Sequence, residues 1–292
     1  MNYGDFICFV KREMEAKLGN EVQVSLQSVL KNNSVVLDGL TFQEKGQNIA
    51  PTIYLREFYE EYKRGISLPE LVDYMIEVYQ RNRLEEPLDT DFYLDYENVR
   101  GHLACKIIHR ERNHELLKQV PFVPFLDLAV VCYYKMEHEA VGSGSILVFD
   151  SHRKRWGITV EELFRTARMN TSRLLPPEYM ELKNLMNTEE NDLDMSGFIP
   201  MYILTNNENN FGAVQMIYDS VLQEAGIRIQ SDFWILPSSV HECILVPESV
   251  PTGKKELEAM VRQVNAREVA PEDYLSDSVY FYRRDLHKLE KM

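Results

Sequence analysis

The stretch "DFWILPSSVHECILVP" (232–247) decides the fold class, because two apolar runs flank a short polar segment. Residues 232–237 and 242–247 are rich in β-branched, aromatic and aliphatic side chains, which favours two strands. Pro237 and the serines that follow it are typical of a turn. A link this short joins antiparallel neighbours, since parallel strands need a long crossover. The stretch therefore predicts a β-hairpin.

The sequence predicts two further hairpins, both N-terminal to this one. The runs "FLDLAVVCYYKM" (125–136) and "VGSGSILVFD" (141–150) flank a polar turn, and "EVQVSLQSVLKNNSVVLDGLTFQE" (21–44) alternates apolar and polar residues on both sides of "KNN". Hairpin links, rather than strict alternation of strands and helices, argue against a doubly wound sheet. The sequence therefore predicts an α+β fold with a mixed, mainly antiparallel sheet and packed helices.

The same patterns predict two domains. Residues 1–118 form a smaller N-terminal α+β part with the hairpin at 21–44 and several helices, and residues 119–292 form the larger α+β sheet domain. Within the first part, apolar residues at helical spacing predict a helix over 95–118, whose polar face carries histidines and arginines.

The charge balance disfavours nucleic acid as a partner. The chain has 32 Lys and Arg residues against 46 Asp and Glu residues, a formal net charge of −14. Such an acidic field repels phosphate backbones. The segment "SHRKRWG" (151–157) is a local basic patch with one Trp, and its interpretation stays open between a solvated loop and a phosphate or base contact.

Neither a metal nor a cofactor is predicted. The four cysteines lack CxxC spacing, and HExxH and His-x3-His are both absent from the sequence. The cysteines are predicted to be small buried hydrophobes in a reducing compartment. No run of about 20 apolar residues would span a bilayer, and the N-terminal stretch is not typical of a secretory signal. We therefore expect a cytoplasmic protein without membrane contact. The four cysteines mentioned above are Cys8, Cys105, Cys132 and Cys243.

The first candidate site is "LPSSVHE" (236–242), which holds Ser238, Ser239, His241 and Glu242. Residues two apart share a face of a strand, so Ser239 could approach His241 as a nucleophile approaches its base. The segment lacks the GxSxG pattern of a hydrolase elbow, and its Pro-Ser-Ser start suits a turn. Three interpretations stay open: a structural turn, a catalytic serine, and a polar hairpin tip that lines a ligand groove.

The second candidate site is "TNNENNFGA" (205–213), which joins a predicted strand to a predicted helix over 211–226. Asn210 could cap that helix, whose first N–H groups could bind an anion. No GxGxxG or Walker lysine is present, so nucleotide binding has little support. The alternative is a capped turn in which Asn side chains satisfy the backbone. The candidate ligand contacts here are Asn206, Asn210, Phe211 and Gly212.

Six separated segments carry a resemblance to a known family: "NIAPTIYLREFYEEYKRG", "FLDLAVVCYY", "WGITVEELFRTARMNTSRLLPP", "MYILTNNENNFGA", "LPSSVHECILVP" and "VNAREVAPEDYLSDSVYFY". In this order they resemble domain of unknown function 5688, found largely in clostridial, gut-type bacteria. The part from "DLAVV" to "NTSRLLP" is more distantly similar to a second uncharacterised Firmicutes family of cytosolic proteins. The resemblance implies a cytoplasmic bacterial protein and no particular activity, substrate or cofactor. Its motif words include Asn206, Phe211, Gly212, Ser238, Ser239, His241, Glu242, Asn265 and Pro271 without assigning them roles.

These observations favour a non-enzymatic protein that binds an unknown protein or small-molecule partner near 205–213 and 236–242. The contacts expected in the second segment are Ser238, Ser239 and His241. The alternative is a serine-type hydrolase that uses Ser239 or Ser238 as nucleophile and His241 as base, with Glu242 as a further candidate catalytic residue.

Overall fold

Antiparallel pairing joins the strands of each sheet in this computed structural model. The structure describes residues 1–138, 142–182, 200–237 and 239–292. Their contacts divide into two compact units. Unit 1 comprises residues 1–31, 35–92 and the described part of 137–144, and unit 2 comprises 32–34, 93–136 and the described part of 145–292.

In unit 1, helices cover one face of a three-stranded sheet with the order β1-β2-β3. Phe6 and Met14 from the first helix pack with Phe42 and Met75 in the core. The first helix stops where Gly19 adopts a positive φ of 69°, which glycine tolerates. The elements are α1 (Tyr3–Leu18), β1 (Val22–Leu30), β2 (Val36–Glu44), β3 (Thr52–Tyr54), α2 (Leu55–Lys63) and α3 (Leu68–Asn82).

Unit 2 contains two antiparallel sheets, except that the strand residues within 137–144 belong to unit 1. In the first, β4 and β5 flank β6, and β7 also pairs with β6; the second has the order β13-β12-β10-β11-β9-β8. The elements are α4 (Tyr96–Val99), β4 (Leu103–His109), β5 (Phe122–Phe125), β6 (Leu128–His138), β7 (Gly142–Leu147), α5 (Asp150–Arg155), α6 (Val160–Leu174), β8 (Pro177–Glu181), β9 (Tyr202–Asn206), α7 (Asp219–Ile229), β10 (Phe233–Leu236), β11 (Cys243–Pro247), α8 (Lys254–Arg267), β12 (Tyr280–Arg283) and β13 (Lys288–Lys291).

The predicted α+β class is confirmed, and so are the three hairpins: β1 pairs with β2, β6 with β7, and β10 with β11. The prediction of separate domains at 1–118 and 119–292 stays a prediction. Among the described residues, no helix has the length and apolar character needed to cross a membrane.

The continuous helix predicted over 95–118 was wrong, since within it only Tyr96–Val99 is α-helical. Residues 103–109 form β4, which pairs with β6 from Leu103↔Tyr134 to His109↔Leu128. The apolar run has residues on both faces of the strand, and both faces are buried, so its spacing also fits a helix. Seven consecutive pairings with β6 therefore override the helical pattern.

The continuous helix predicted over 211–226 is interrupted. A 3-10 helix over Gly212–Ile217 ends at Tyr218, whose extended backbone (φ −98°, ψ 113°) precedes α7. The expectation of four buried cysteines also needs correction, because Cys8 is exposed while Cys105, Cys132 and Cys243 are buried free thiols. Cys8 lies on the solvent face of the amphipathic helix α1, away from its buried residues.

Candidate functional site

The turn between β10 and β11 carries His241, and both nitrogens of its ring contact neighbouring segments. Nδ1 accepts a hydrogen bond from the Phe211 N–H at 3.3 Å, and Nε2 lies 3.2 Å from Asp273 Oδ1. Because Nδ1 accepts, a neutral ring carries its proton on Nε2, where the carboxylate accepts it. The ring therefore links three chain segments.

Ser239 supports the same turn through its hydroxyl and its backbone. Its Oγ accepts a hydrogen bond from the His241 N–H at 3.0 Å, and its backbone forms a bridge with Tyr274. The side chain is almost completely buried. Glu242 follows half-buried, and Ser238 lies outside the described residues.

Asn206 organises the loop that follows β9. Its Oδ1 accepts hydrogen bonds from the N–H groups of Glu208 and Asn210, and its Nδ2 donates to the Asn210 carbonyl at 2.8 Å. The cap predicted for Asn210 was wrong, because Phe211 precedes the 3-10 helix and no side chain caps it. Asn206 is fully buried, and its amide can bond the loop from the strand end as an Asx turn does.

Gly212 brings the two candidate segments into contact. A Cβ atom at this position would lie 2.6 Å from the His241 carbonyl oxygen, 2.8 Å from the Asn206 N and 2.3 Å from Thr205 Oγ1. Only a residue without a side chain fits such a close backbone approach. Thr205 Oγ1 donates to the His241 carbonyl at 2.9 Å across the same gap.

Phe211 has a left-handed backbone, with φ 54° and ψ 24°. A bulky residue rarely adopts this conformation. Its ring stacks on His241 with centroids 5.7 Å apart and planes 12° apart, and it meets the Tyr133 ring edge to face at 5.3 Å. The Lys106 ammonium lies 4.1 Å from the Phe211 ring centroid, within cation–π range. We call Lys106, Glu208, Phe211, His241 and Asp273 the Phe211 surface.

Charges of both signs lie on and beside this surface. Lys135, which is largely buried on β6, forms an ion pair with Glu208 at 2.9 Å. Tyr133 lies two residues earlier, and burial raises the pKa of its phenol, so the hydroxyl is neutral at physiological pH. The surface therefore combines an aromatic ring with lysine and carboxylate groups.

The segment that carries Asp273 is held by hydrogen bonds from Asn32 and Asn33. Asn33 Nδ2 donates to the carbonyls of Tyr274 at 2.6 Å and Pro271 at 3.0 Å, and Asn32 Nδ2 donates to the Glu272 carbonyl at 2.6 Å. The Asn33 side chain also accepts from Asn113 Nδ2 at 3.0 Å. These contacts lie within unit 2, and they fix the backbone on which Asp273 stands.

Sequence reasoning missed Lys106 and Asp273. Lys106 lay in the segment expected to be helical, and only the pairing of β4 with β6 places it beside Phe211. Asp273 follows α8 in a loop that belongs to a segment of the family resemblance but has no spacing typical of a catalytic or binding motif. Its proximity to His241 arises from the backbone hydrogen bond between the Val240 N–H and the Asp273 carbonyl, 33 residues apart in number. Neither position carries a local signal.

The basic segment 151–157 forms α5 and the turn after it. Arg153 and Lys154 both form ion pairs with Asp150, at 2.7 Å each. Trp156 is buried, and its indole N–H donates to the Tyr93 carbonyl at 2.9 Å. Burial also lowers the pKa of His152, which favours its neutral form. The Trp156 ring therefore packs within unit 2 and is not presented at the surface for stacking.

Among the described residues, no group of three or more His, Cys, Asp and Glu side chains could hold a metal ion. A thiol nucleophile beside the turn has little support, because burial raises the pKa of Cys243.

A family profile described as a family of unknown function (DUF5688) matches residues 3–284 of the chain. The chain belongs to this family. The match confirms the resemblance to this family seen in the sequence. The matched residues include parts of both units and all five residues of the Phe211 surface. Searches of curated proteins and of solved structures find no match.

Proposed function

We propose that this protein is a non-enzymatic binding protein whose contact region is the Phe211 surface. The observation that carries the proposal is the left-handed backbone of Phe211, whose ring the fold nevertheless holds against His241 and Lys106. Such a conformation costs about 1–3 kcal/mol and is concentrated at ligand clamps and active sites. Phe211 is half-buried, so part of the residue stays accessible to a partner.

The proposed partner is a small molecule or a segment of another protein. It would place an apolar or aromatic group on the Phe211 ring and polar groups on the lysine and carboxylate side chains around it. Of the site residues proposed from the sequence, Phe211 and His241 belong to this surface, and Asn206, Asn210, Gly212 and Ser239 support the backbone behind it. A cytoplasmic, bacterial setting is part of the proposal, and the free cysteines support the reducing compartment it requires.

A serine hydrolase is the second candidate, and one observation favours it. The contact between His241 Nε2 and Asp273 Oδ1 resembles that between a catalytic base and the acid that orients it. However, Nδ1 carries the lone pair that would accept a serine proton, and it already accepts the Phe211 N–H. Ser239 Oγ in turn accepts the His241 N–H. These bonds support a connecting role.

A fluorophosphonate probe separates the two candidates. Purified protein is incubated with the probe, and the modified residue is identified by mass spectrometry. For a binding protein we expect no labelling of Ser238 or Ser239. The background signal of the wild type should then equal that of Ser239→Ala and of Ser238→Ala. Labelling of the wild type that either variant abolishes would overturn the non-enzymatic proposal.

Binding itself is tested with two glycine variants. Phe211 and Asn209 both have a positive φ, 54° and 51°, so glycine fits the backbone at either position, and it relieves more strain at Phe211 because asparagine tolerates this region. Only Phe211→Gly also removes a ring from the surface. A metabolite panel is screened by thermal shift against the wild type.

Metabolites that stabilise the wild type should stabilise Asn209→Gly equally and should lose their effect on Phe211→Gly. Equal stabilisation of all three proteins would locate binding elsewhere and contradict the proposal.

A further inference from the structure

Strand β1 is a long, unprotected edge of the unit 1 sheet. In the order β1-β2-β3 it pairs only with β2, through nine residues from Val22↔Glu44 to Leu30↔Val36. Its sequence, VQVSLQSVL, contains no charged residue, no proline and no glycine. Edge strands normally carry charged residues or proline, because unpaired N–H and C=O groups otherwise recruit another strand.

Three other edges in the described structure carry the usual protection. Strand β13 is short and has lysines at both ends, and β8 begins with Pro177 and contains two glutamates. The outer edge of β4 is covered by α6, since the Cys105 N–H donates to Thr171 Oγ1 at 2.8 Å. The uncharged composition of β1 therefore differs from the pattern of these strands.

Hydrogen-bond parity shows which residues of β1 face outward. The Lys31 N–H donates to the Val35 carbonyl, and the Phe42 N–H donates to the Pro51 carbonyl on the side of β3. Backbone groups alternate between the two sides of a strand, so odd-numbered residues of β1 bond to β2. The even-numbered residues point their N–H and C=O groups away from the sheet, and no backbone partner for them is present among the described residues. They are Val22, Val24, Leu26, Ser28 and Leu30.

The same even-numbered residues carry an exposed apolar group. Leu26 is 44% exposed, Leu30 is 55% exposed, and Val36, which pairs with Leu30 on β2, is 55% exposed. Residues paired in this way lie on one face of the sheet. At Val24, by contrast, the same face of β1 is buried in the core of unit 1.

We propose that β1 pairs with β1 of a second copy of the chain, antiparallel and centred on Leu26. In this register Leu26 faces Leu26, Val24 faces Ser28 and Val22 faces Leu30 of the second copy. All five outward-facing residues are then paired with outward-facing residues, and each pair exchanges two hydrogen bonds. A two-fold axis through Leu26 makes the interface self-complementary.

The exposed apolar surface favours a second copy as the occupant, and no ionised side chain of β1 opposes it. Each chain carries a net charge of −14, so two copies repel in general, but β1 brings no ionised side chain to the interface. The pairing also places the exposed Leu26 of one copy against that of the other and covers part of the exposed Leu30. The result is a continuous antiparallel sheet of six strands across the dimer.

The first test is the oligomeric state of the full chain, measured by sedimentation equilibrium over a range of concentrations. The wild type should dimerise. Leu26→Lys places two like charges opposite each other on the axis and should raise the dissociation constant at least about tenfold. Gln27→Lys is the matched control, because it adds the same charge on the opposite face and off the axis, and it should leave the dimer intact.

Circular dichroism and thermal unfolding verify that both variants remain folded. A wild type that stays monomeric up to about 1 mM, or a dimer that Leu26→Lys leaves unchanged, would overturn the proposal.

The register has its own test in a Cys8→Ser background, which removes the exposed native thiol. Mild oxidation should form an intermolecular disulfide efficiently from Leu26→Cys and poorly from Gln27→Cys, since directly opposite Cβ atoms lie about 4.5–5.5 Å apart and diagonal ones about 7–8 Å. The reverse order of cross-linking would contradict this register.

Discussion

Asp273 holds the His241 turn twice, once with its main chain and once with its side chain. Its carbonyl accepts the Val240 N–H at 2.8 Å, and its carboxylate lies 3.2 Å from His241 Nε2. The backbone hydrogen bond fixes the distance between the turn and the 271–274 segment. The side-chain contact fixes the orientation of the imidazole ring. Together they present the His241 ring flat against Phe211.

Substitution of Asp273 should distinguish a hydrogen bond from an ion pair. An amide oxygen still accepts the Nε2–H of a neutral ring, so Asp273→Asn should change the free energy of unfolding by less than about 0.5 kcal/mol. Asp273→Ala removes the acceptor and should cost about 1 kcal/mol. Urea unfolding at neutral pH measures both. An Asn variant as unstable as the Ala variant would indicate that the contact needs the negative charge.

Gly212→Ala should be strongly destabilising. Two of the three atoms that the new Cβ would meet, the His241 carbonyl oxygen and the Asn206 N, belong to backbone that cannot turn away as a side chain can. Overpacking of this kind costs about 1–3 kcal/mol or more. Gly101→Ala is the control, because a Cβ added there would meet no atom within 4 Å, and its stability should stay close to wild type. Equal stability of the two variants would contradict the close approach.

The sequence was sufficient to predict the elements near the site whose signals are local. The apolar runs on either side of 236–242 became β10 and β11, joined by the predicted turn. Their signals reside in strand-forming composition and turn residues within a few positions.

The remainder of the site depends on contacts between distant segments. Lys106 reaches Phe211 only because β4 pairs with β6, and a short apolar run does not reveal strand pairing. Asn210 does not cap the helix that follows; instead the buried amide of Asn206, at the strand end, bonds the loop N–H groups of Glu208 and Asn210. Such choices are made by tertiary packing and lie beyond local propensity.

Nucleic-acid binding through 151–157 should be absent. Trp156 would have to stack on a base, but its ring is buried and its N–H is bonded to Tyr93, while Asp150 pairs with two of the neighbouring cations. Gel shifts with single- and double-stranded probes at low and moderate salt should show no complex. A complex at low salt that weakens in Arg155→Ala, a substitution of an exposed residue in the segment, would refute this prediction.

Asp127 should make the stability of unit 2 sensitive to acid. Its carboxylate accepts hydrogen bonds from Tyr280 at 2.6 Å, Lys291 at 2.8 Å and Ser278 at 2.9 Å. Burial alone would raise the pKa of Asp127, but these hydrogen bonds outweigh it and hold the pKa below its ordinary value. The ionised form is therefore favoured more in the folded than in the unfolded chain.

The sign of the pH dependence follows from this depression. The stabilisation is fully present above the unfolded-chain pKa of about 3.9 and is lost as the pH falls through the lower folded value. Asp127→Asn should reduce the free energy of unfolding at pH 7 by about 1–3 kcal/mol, and its stability should decline less steeply than that of the wild type in acid. Denaturant unfolding at a series of pH values measures both slopes.

Glu86→Gln, which alters an exposed carboxylate, is the control and should keep the wild-type slope. If Asp127→Asn declined in parallel with the wild type, the hydrogen bonds to Asp127 would not be the source of the acid sensitivity. The two curves should converge at low pH, where the wild-type carboxyl is protonated and resembles the neutral amide in charge.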